Sequence, residues 1–414
     1  MRATIAHSIS YLPFAGILML VALLPFPFGW AQRATLYMLA VAYPLDYIVN
    51  RRWEGWHWTM QKMVYVAFVA FFALIPIWQL FDPIRTDLFA FTLDHYAPFL
   101  VIGICGLAGM TDKIRLDYTA WVMLGVSTAI VLYLICRVGL EAQSWDSWVL
   151  MFNELRVREV NTHMVVNLYY NLSLIIGALV IIESRHTGLV KMATALLMLP
   201  PLMALLISEG RTGIITLLLA ATALLLYYTI RDRRWWLLAL TMVLIAGATL
   251  VGRHNAQAFE KPTVTNPRVY IWKVMTQMIA ERPMSGYGVC SAREELIQRG
   301  LDDEDFVNHY VAELQKDQKY RQNGVVQYEK MHPHNVLLET WTQFGIMGVL
   351  LILLCLLLPF FMRLGQTQLY LDLCVSAFVI QACFESLGSN LQPLMLCLPV
   401  LLFDYASRHP LKNS

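Results

Sequence analysis

Residues 331–335 read MHPHN: two histidines flank a proline, immediately before an apolar run that begins NVLLETW. An imidazole titrates near neutrality, so a histidine at the start of a helix can accept a proton in acid–base catalysis. His334 is the better placed of the two. The positive end of a helix dipole disfavours imidazolium and keeps such a ring neutral. His-x-His also suits half of a zinc site, with His254 and His309 as further donors, but no second ligand pair stands at a defined spacing. The plainest alternative is that both rings merely decorate a helix start.

Two arginines suit anion chemistry. SEGRTG, residues 208–213, is a tight turn between two apolar runs, with Arg211 as its strong cation and glycines on either side leaving room for a bulky ligand. An arginine at such a point can equally be a snorkelling anchor. In NPRVYIW, Asn266 is a good N-cap and Pro267 suits the first helical position, which puts Arg268 in the first turn. Helix starts attract anions, and a guanidinium can grip a phosphate bidentately. A salt bridge to a nearby carboxylate is the competing use. The acids of DDED, residues 302–305, contain a D-x-D that suggests a divalent ion, yet they also fall in or just before the first turn of an expected helix. Carboxylates are stabilising there, and that capping role is preferred.

The elements that must position these groups follow from composition. Apolar residues make up 58% of the 414 and charged residues 14%, with a mean hydropathy of +0.53. Soluble chains carry about a quarter charged residues. Here many apolar stretches approach the roughly 20 residues that cross a bilayer. The expectation is an all-α, polytopic integral membrane protein with about twelve transmembrane helices, near 11–29, 34–49, 60–80, 88–110, 117–137, 163–183, 189–208, 213–230, 235–252, 336–360, 367–385 and 388–406. Pro44 with Asp46, and Asp94 with His95, interrupt the second and fourth. The first run is taken as a helix rather than a cleavable leader, since only Arg2 and His7 precede it and no small-residue cleavage site follows. Residues 1–252 thus form a first transmembrane bundle, 253–334 a large outer loop, and 335–414 the C-terminal helices.

Lys and Arg in the short loops set the orientation. With both termini in the cytoplasm, inner loops hold Arg51, Arg52, Lys113, Arg115, Arg185, Arg231, Arg233, Arg234 and Arg363, and the tail adds Arg408 and Lys412. The large loop and MHPHN then face outward. That loop carries 11 basic and 11 acidic residues, so anion binding there must come from local geometry. Two amphipathic helices are expected in it: one with Arg268, Trp272, Met275 and Ile279 at helical spacing, closed by Pro283, and one over EDFVNHYVAELQKDQKY with Phe306, Tyr310 and Leu314. Six of the seven cysteines lie in or beside apolar runs, leaving only Cys290 in the loop and no disulfide framework. No P-loop, dinucleotide fingerprint or nucleic-acid motif is present, so no cofactor is expected.

The order of these features resembles a family. About twelve spans, a large outer loop late in the chain, an arginine at a span junction and a His-Asn-x-x-Leu motif after the loop look like the O-antigen ligase and O-antigen polymerase superfamily. The residues carrying the resemblance are Ser208 to Gly213, Arg268 with Trp272, Pro283 with Gly286 and Gly288, and His334 to Leu338. Within the superfamily the layout is most similar to the O-antigen ligases.

The resemblance implies a GT-C-like, metal-independent, inverting glycosyltransferase in a bacterial inner membrane with its active site facing the periplasm. Its donor would be an undecaprenyl diphosphate-linked glycan and its acceptor the lipid A–core oligosaccharide. It also implies His334 as catalytic residue and Arg211 and Arg268 as binders of the diphosphate. Arg158 and His332 match no motif and are secondary. The chemistry agrees. A compartment without ATP needs a pre-activated donor, and diphosphate leaves readily once its charge is compensated, so a single base suffices. A polymerase or a protein O-oligosaccharyltransferase of the same superfamily would share this layout. A secondary transporter is the rival of another class, but no intramembrane carboxylate pair or inverted repeat stands out.

Overall fold

Helices follow from the apolar runs, and their ends from prolines, glycines and caps. The computed structural model describes residues 2–27, 29–81, 86–109, 113–139, 144–208, 211–243, 245–247, 268–289, 291–311, 321–322, 325–326, 335–383 and 392–408. Before a small lobe that follows residue 267 the helices are α1 (Arg2–Ile9), α2 (Leu12–Leu23), α3 (Gly29–Val49), α4 (Lys62–Phe81), α5 (Thr86–Ala108), α6 (Leu116–Gly139), α7 (Trp145–Glu159), α8 (His163–Glu183), α9 (Gly188–Leu206), α10 (Arg211–Asp232) and α11 (Trp236–Gly247). The lobe contributes α12 (Arg268–Glu281) and α13 (Ser291–Asp302). The chain returns to the bundle through α14 (Val336–Leu357), α15 (Gln368–Ala382) and α16 (Gln392–Arg408). One antiparallel pair, Arg321–Gln322 with Val325–Val326, is the exception to an otherwise helical set among the described residues.

A helix lies on each stretch expected to be apolar and membrane-spanning. Among the described residues six are long and apolar enough to cross a bilayer by length and composition: Ala6–Leu23, Leu116–Gly139, His163–Glu183, Gly188–Leu206, Thr212–Asp232 and Val336–Phe361. Four more apolar helices are shorter. The first span begins and ends earlier than the expected 11–29, because Pro25 and Pro27 cannot continue a helix. The carbonyls they leave open at Val21 and Leu23 accept from the Tyr169 hydroxyl at 3.1 Å and the Gln32 amide at 2.8 Å, and Gln32 also donates to Phe26 O at 2.8 Å. The polar interruption of the fourth span is matched across helices, and that of the second locally, at the end of its own helix. Asp94 accepts from Arg33 at 2.7 Å and Tyr37 at 2.6 Å, and Asp46 accepts from Arg52 and Asn50 at 2.7 Å each.

Burial separates inner from lipid-facing helices. In α8 the apolar window is 83% buried, against 22% in α9, whose Leu189, Met192 and Leu196 point outward. A helix apolar on all sides and covered on all sides belongs at the centre of its bundle. α8 is that helix.

The lobe has its own small core of Ile271, Val274, Met275, Met278, Tyr287, Ala292, Leu296 and Phe306. Its first helix is where the spacing predicts it, but the inward stripe is Ile271, Val274, Met275 and Met278, leaving Trp272 and Ile279 at the edge. The second expected helix is present over its described part, residues 304–311, where it takes π-helical form at Phe306–Val311; residues 312–320 lie outside the described residues, and a further helix, α13, forms upstream. Charged residues dominate α13, so its apolar period is faint. Even so Phe306 is an anchor, wholly buried against Gly300.

One joint fixes the lobe to the bundle. α14 is broken at Gly345, whose backbone (φ 64°, ψ −159°) is not helical. The carbonyls freed by the break accept main-chain N–H groups of the lobe: Tyr287 N donates to Thr342 O at 2.8 Å and Gly288 N to Gln343 O at 2.9 Å. In return Ile346 N and the Trp341 indole both donate to Pro283 O at 3.0 Å, and the Trp78 indole of α4 donates to Ser285 O at 2.7 Å. Gly286, at φ 66°, turns the strap, and any Cβ on it would meet Gln343 C at 2.7 Å. Below the break, Phe344 sits edge-on to Phe71 at 6.0 Å and Trp78 at 6.5 Å.

Candidate functional site

The start of α14 is built by three side chains with different jobs. Asn335 caps it, its Oδ1 accepting from Leu338 N at 3.0 Å. Its Nδ2 donates to Cys383 O at the end of α15, at 3.3 Å. Val336 is buried in the bundle core, while Leu338 packs on the lobe core. Val336, not Leu338, therefore holds this start against the bundle. His334, His332 and Pro333 lie outside the described residues. Glu339, almost fully buried in the first turn, is a carboxylate that sequence reading passed over, at a helix position favouring negative charge.

The junction between α9 and α10 is gripped from two sides. Arg211 is the first residue of α10; of its side chain nothing is described. Asn153 Nδ2 of α7 donates to Ile207 O at 3.0 Å, and Asn171 Nδ2 of α8 donates to Gly213 O at 3.1 Å. Ser208 Oγ accepts from Asn167 Nδ2 and from Arg156 Nη1, each at 2.8 Å. Gly213 does not leave space for a ligand as expected. Any Cβ there would fall 2.8 Å from Asn167 Nδ2, so its bareness lets α8 approach.

Arg156 was the arginine missed. It is wholly buried, whereas Arg158 is exposed. The signal existed in the helical phase: Trp148, Phe152 and Arg156 fall four residues apart on one face of α7, and Trp148 stacks on Phe152 at 5.3 Å. Arg158 is two residues further, on the opposite side.

Arg268 opens α12 as expected and is half-buried; the Asn266–Pro267 cap lies outside the described residues. The DDED acids cap and pair. Asp303 accepts from Phe306 N at 3.0 Å, and Lys273 bridges Asp303 at 3.0 Å and Asp305 at 3.2 Å. The Phe306 amide and then Lys273 hold the Asp303 carboxyl below its ordinary range. Beside them Arg299 grips Glu281 through two nitrogens at 2.6 and 2.7 Å, which pulls the Glu281 carboxyl down to about 2. Among the described residues no group of three His, Cys, Asp or Glu could hold a metal ion.

These elements meet at one end of the bundle. α12 packs on the first half of α14. Asn335 ties α14 to the end of α15, where Gln381 Nε2 donates to Met164 O in the first turn of α8 at 2.8 Å. One turn along α8, Asn167 reaches the α9–α10 junction. A continuous path of hydrogen bonds and packing therefore runs from the helix of Arg268, through the start of α14, to the start of α10. Arg158 is not on it.

Comparison with known families bears on this region. Residues 193–353, well under half of the chain, match a family model described as O-antigen ligase. The stretch runs from α9 to α14 and so contains Arg211, Arg268, the Pro283–Gly288 strap and His334. Over it the chain is similar to O-antigen ligase-type proteins, and the kind of enzyme this supports is a glycosyl-transferring one in the O-antigen ligase and polymerase superfamily. No curated protein matches the chain.

Proposed function

We propose that this protein is an O-antigen ligase, transferring a polysaccharide from undecaprenyl diphosphate to the lipid A–core oligosaccharide at the periplasmic face of a bacterial inner membrane. In this reading the apolar helices form about twelve spans with both termini in the cytoplasm. The observation that carries it is the path linking the starts of α10 and α14 with α12, three elements that fall inside the stretch that matches the O-antigen ligase family, although the path itself passes through α15 and α8.

Two of these helices begin with arginine, at the end where the dipole and free N–H groups favour an anion. Arg211 and Arg268 bind the donor diphosphate and compensate the charge that builds as the anomeric bond breaks. His334, one residue ahead of the Asn335 cap, takes the proton from the acceptor hydroxyl. That hydroxyl oxygen displaces the diphosphate directly and inverts the anomeric carbon. No metal ion takes part.

The test is transfer by the purified chain in nanodiscs, from a defined undecaprenyl diphosphate-linked glycan to three acceptors in parallel. The expected product is glycosylated lipid A–core. Elongation of a second lipid-linked glycan would make the protein a polymerase instead, and transfer to a peptide hydroxyl a protein O-oligosaccharyltransferase. Absence of any transfer, with uptake of a solute across proteoliposomes, would overturn the reading altogether.

A further inference from the structure

A guanidinium buried in a bundle is costly unless its geometry serves something. Arg156 is 0% exposed, so it cannot touch a substrate. Its Nη1 instead donates to Ser208 Oγ at 2.8 Å and approaches Asn167 Oδ1 at 3.4 Å, crossing from α7 to the end of α9 and to α8. Ser208 is also held by Asn167 Nδ2, and donates back to Asn167 Oδ1 at 3.1 Å. On either side the backbone is held at Ile207 by Asn153 and at Gly213 by Asn171. Asn171 is itself braced, sharing its amide with Asn167 O at 2.9 Å. Arg211 lies between these fixed points, two residues from one and three from the nearer of the others.

We propose that Arg156, acting with Asn167 and Asn171, is a positioning residue that fixes the α9–α10 junction and thereby aims Arg211 at the donor diphosphate. It rests on the assignment of Arg211 above. Groups that contact a reacting centre must be held within fractions of an ångström by residues behind them, and a displacement of about 1 Å can cost roughly a hundredfold in rate. Three donors from two helices, all converging on seven consecutive residues, are such a support.

The experiment compares wild type with Arg156→Gln, Arg156→Lys and Asn171→Ala in nanodiscs. It reads backbone hydrogen exchange over 205–216, the affinity for undecaprenyl diphosphate, and the KM for each substrate. Arg156→Gln should speed exchange over that segment and raise the donor KM roughly ten- to a hundredfold, with the acceptor KM unchanged. Arg156→Lys, which keeps the charge but not the planar fork, should recover part of the loss. If Arg156→Gln does not fold, Asn171→Ala must give the same donor-selective change in milder form. Wild-type exchange over 205–216, or a rise in both KM values alike, overturns the positioning role. A wild-type chain that neither binds undecaprenyl diphosphate nor transfers sugar refutes the assignment of Arg211 instead, whatever the exchange reports.

Discussion

Replacing Gly345 by alanine tests the joint between lobe and bundle. At φ 64° and ψ −159° Gly345 sits in a region open essentially only to glycine, where another residue costs about 1–3 kcal/mol. Any Cβ there would also lie 2.1 Å from Met284 O and 2.4 Å from Met284 C, both main-chain atoms that cannot rotate away. The strap must therefore withdraw. Its withdrawal breaks the bonds from Tyr287 N to Thr342 O, Gly288 N to Gln343 O, and Ile346 N to Pro283 O. At about 1 kcal/mol net for each bond, added to the strain, the native joint loses roughly 4–6 kcal/mol. The alternative is a straightened α14, which alanine favours over glycine by about 1 kcal/mol in a helix interior. Either way Asn335 and the residues before it lose their register with the bundle. Gly345→Ala should insert, yet show faster hydrogen exchange at 283–288 and 336–346 and transfer at least about a hundredfold slower. Wild-type exchange at both segments, together with wild-type transfer, would refute the joint and the geometry drawn from it.

His334→Ala should retain donor binding but lose about a hundred- to ten-thousand-fold in transfer, with His332→Ala milder, as measured on purified variants. In the wild type, transfer should fall on acidification, as an imidazole base becomes protonated. Arg268→Lys should still impair turnover, because an ammonium cannot reproduce a two-pronged grip, and a titration with undecaprenyl diphosphate would show the weakened binding. EDTA should leave transfer intact, and so should Asp305→Ala; loss on chelation, restored by one divalent ion, would contradict this. The Arg299 pair holds the Glu281 carboxyl at about 2, so the ion pair stabilises the lobe above the unfolded carboxylate range and is lost as pH falls from about 4.5 toward 2. Glu281→Gln should flatten the pH dependence of lobe unfolding across that window, read by exchange in α12 and α13.

What could be read in the sequence was whatever depends on local pattern. The apolar runs located the apolar helices, whereas the Asn335 cap went unread although a short polar side chain before an apolar run is the usual signal for one. The lobe helix at Arg268 was visible from its local pattern. α13 was not, since Arg293, Glu294, Glu295 and Arg299 hide Leu296 and its neighbours in a charged stretch. The meaning of Gly286 and Gly345 was also out of reach. Each reads as an ordinary glycine until the main chain some sixty residues away is brought against it. Arg156 and Arg158 differ only in helical phase, and α7 had to be recognised as a helix before that phase could choose between them. The asparagines of α8 were a clue left unused, because two amides four residues apart within an apolar span call for partners there.

The joint at Gly345 is made of peptide groups and two indole N–H donors, and it ignores most side chains of the strap it holds. Met284 is 69% exposed and Ser285 also faces outward, so both could change without touching the bonds their backbone atoms make. Gly286 and Gly345 enjoy no such freedom, because each leaves the room the other strand occupies. The two glycines are thus heritable only as a pair. A lobe grafted from a relative onto this bundle would seat if it brought a glycine at the turn of its strap and met one at the break of α14, however different the surface it carried.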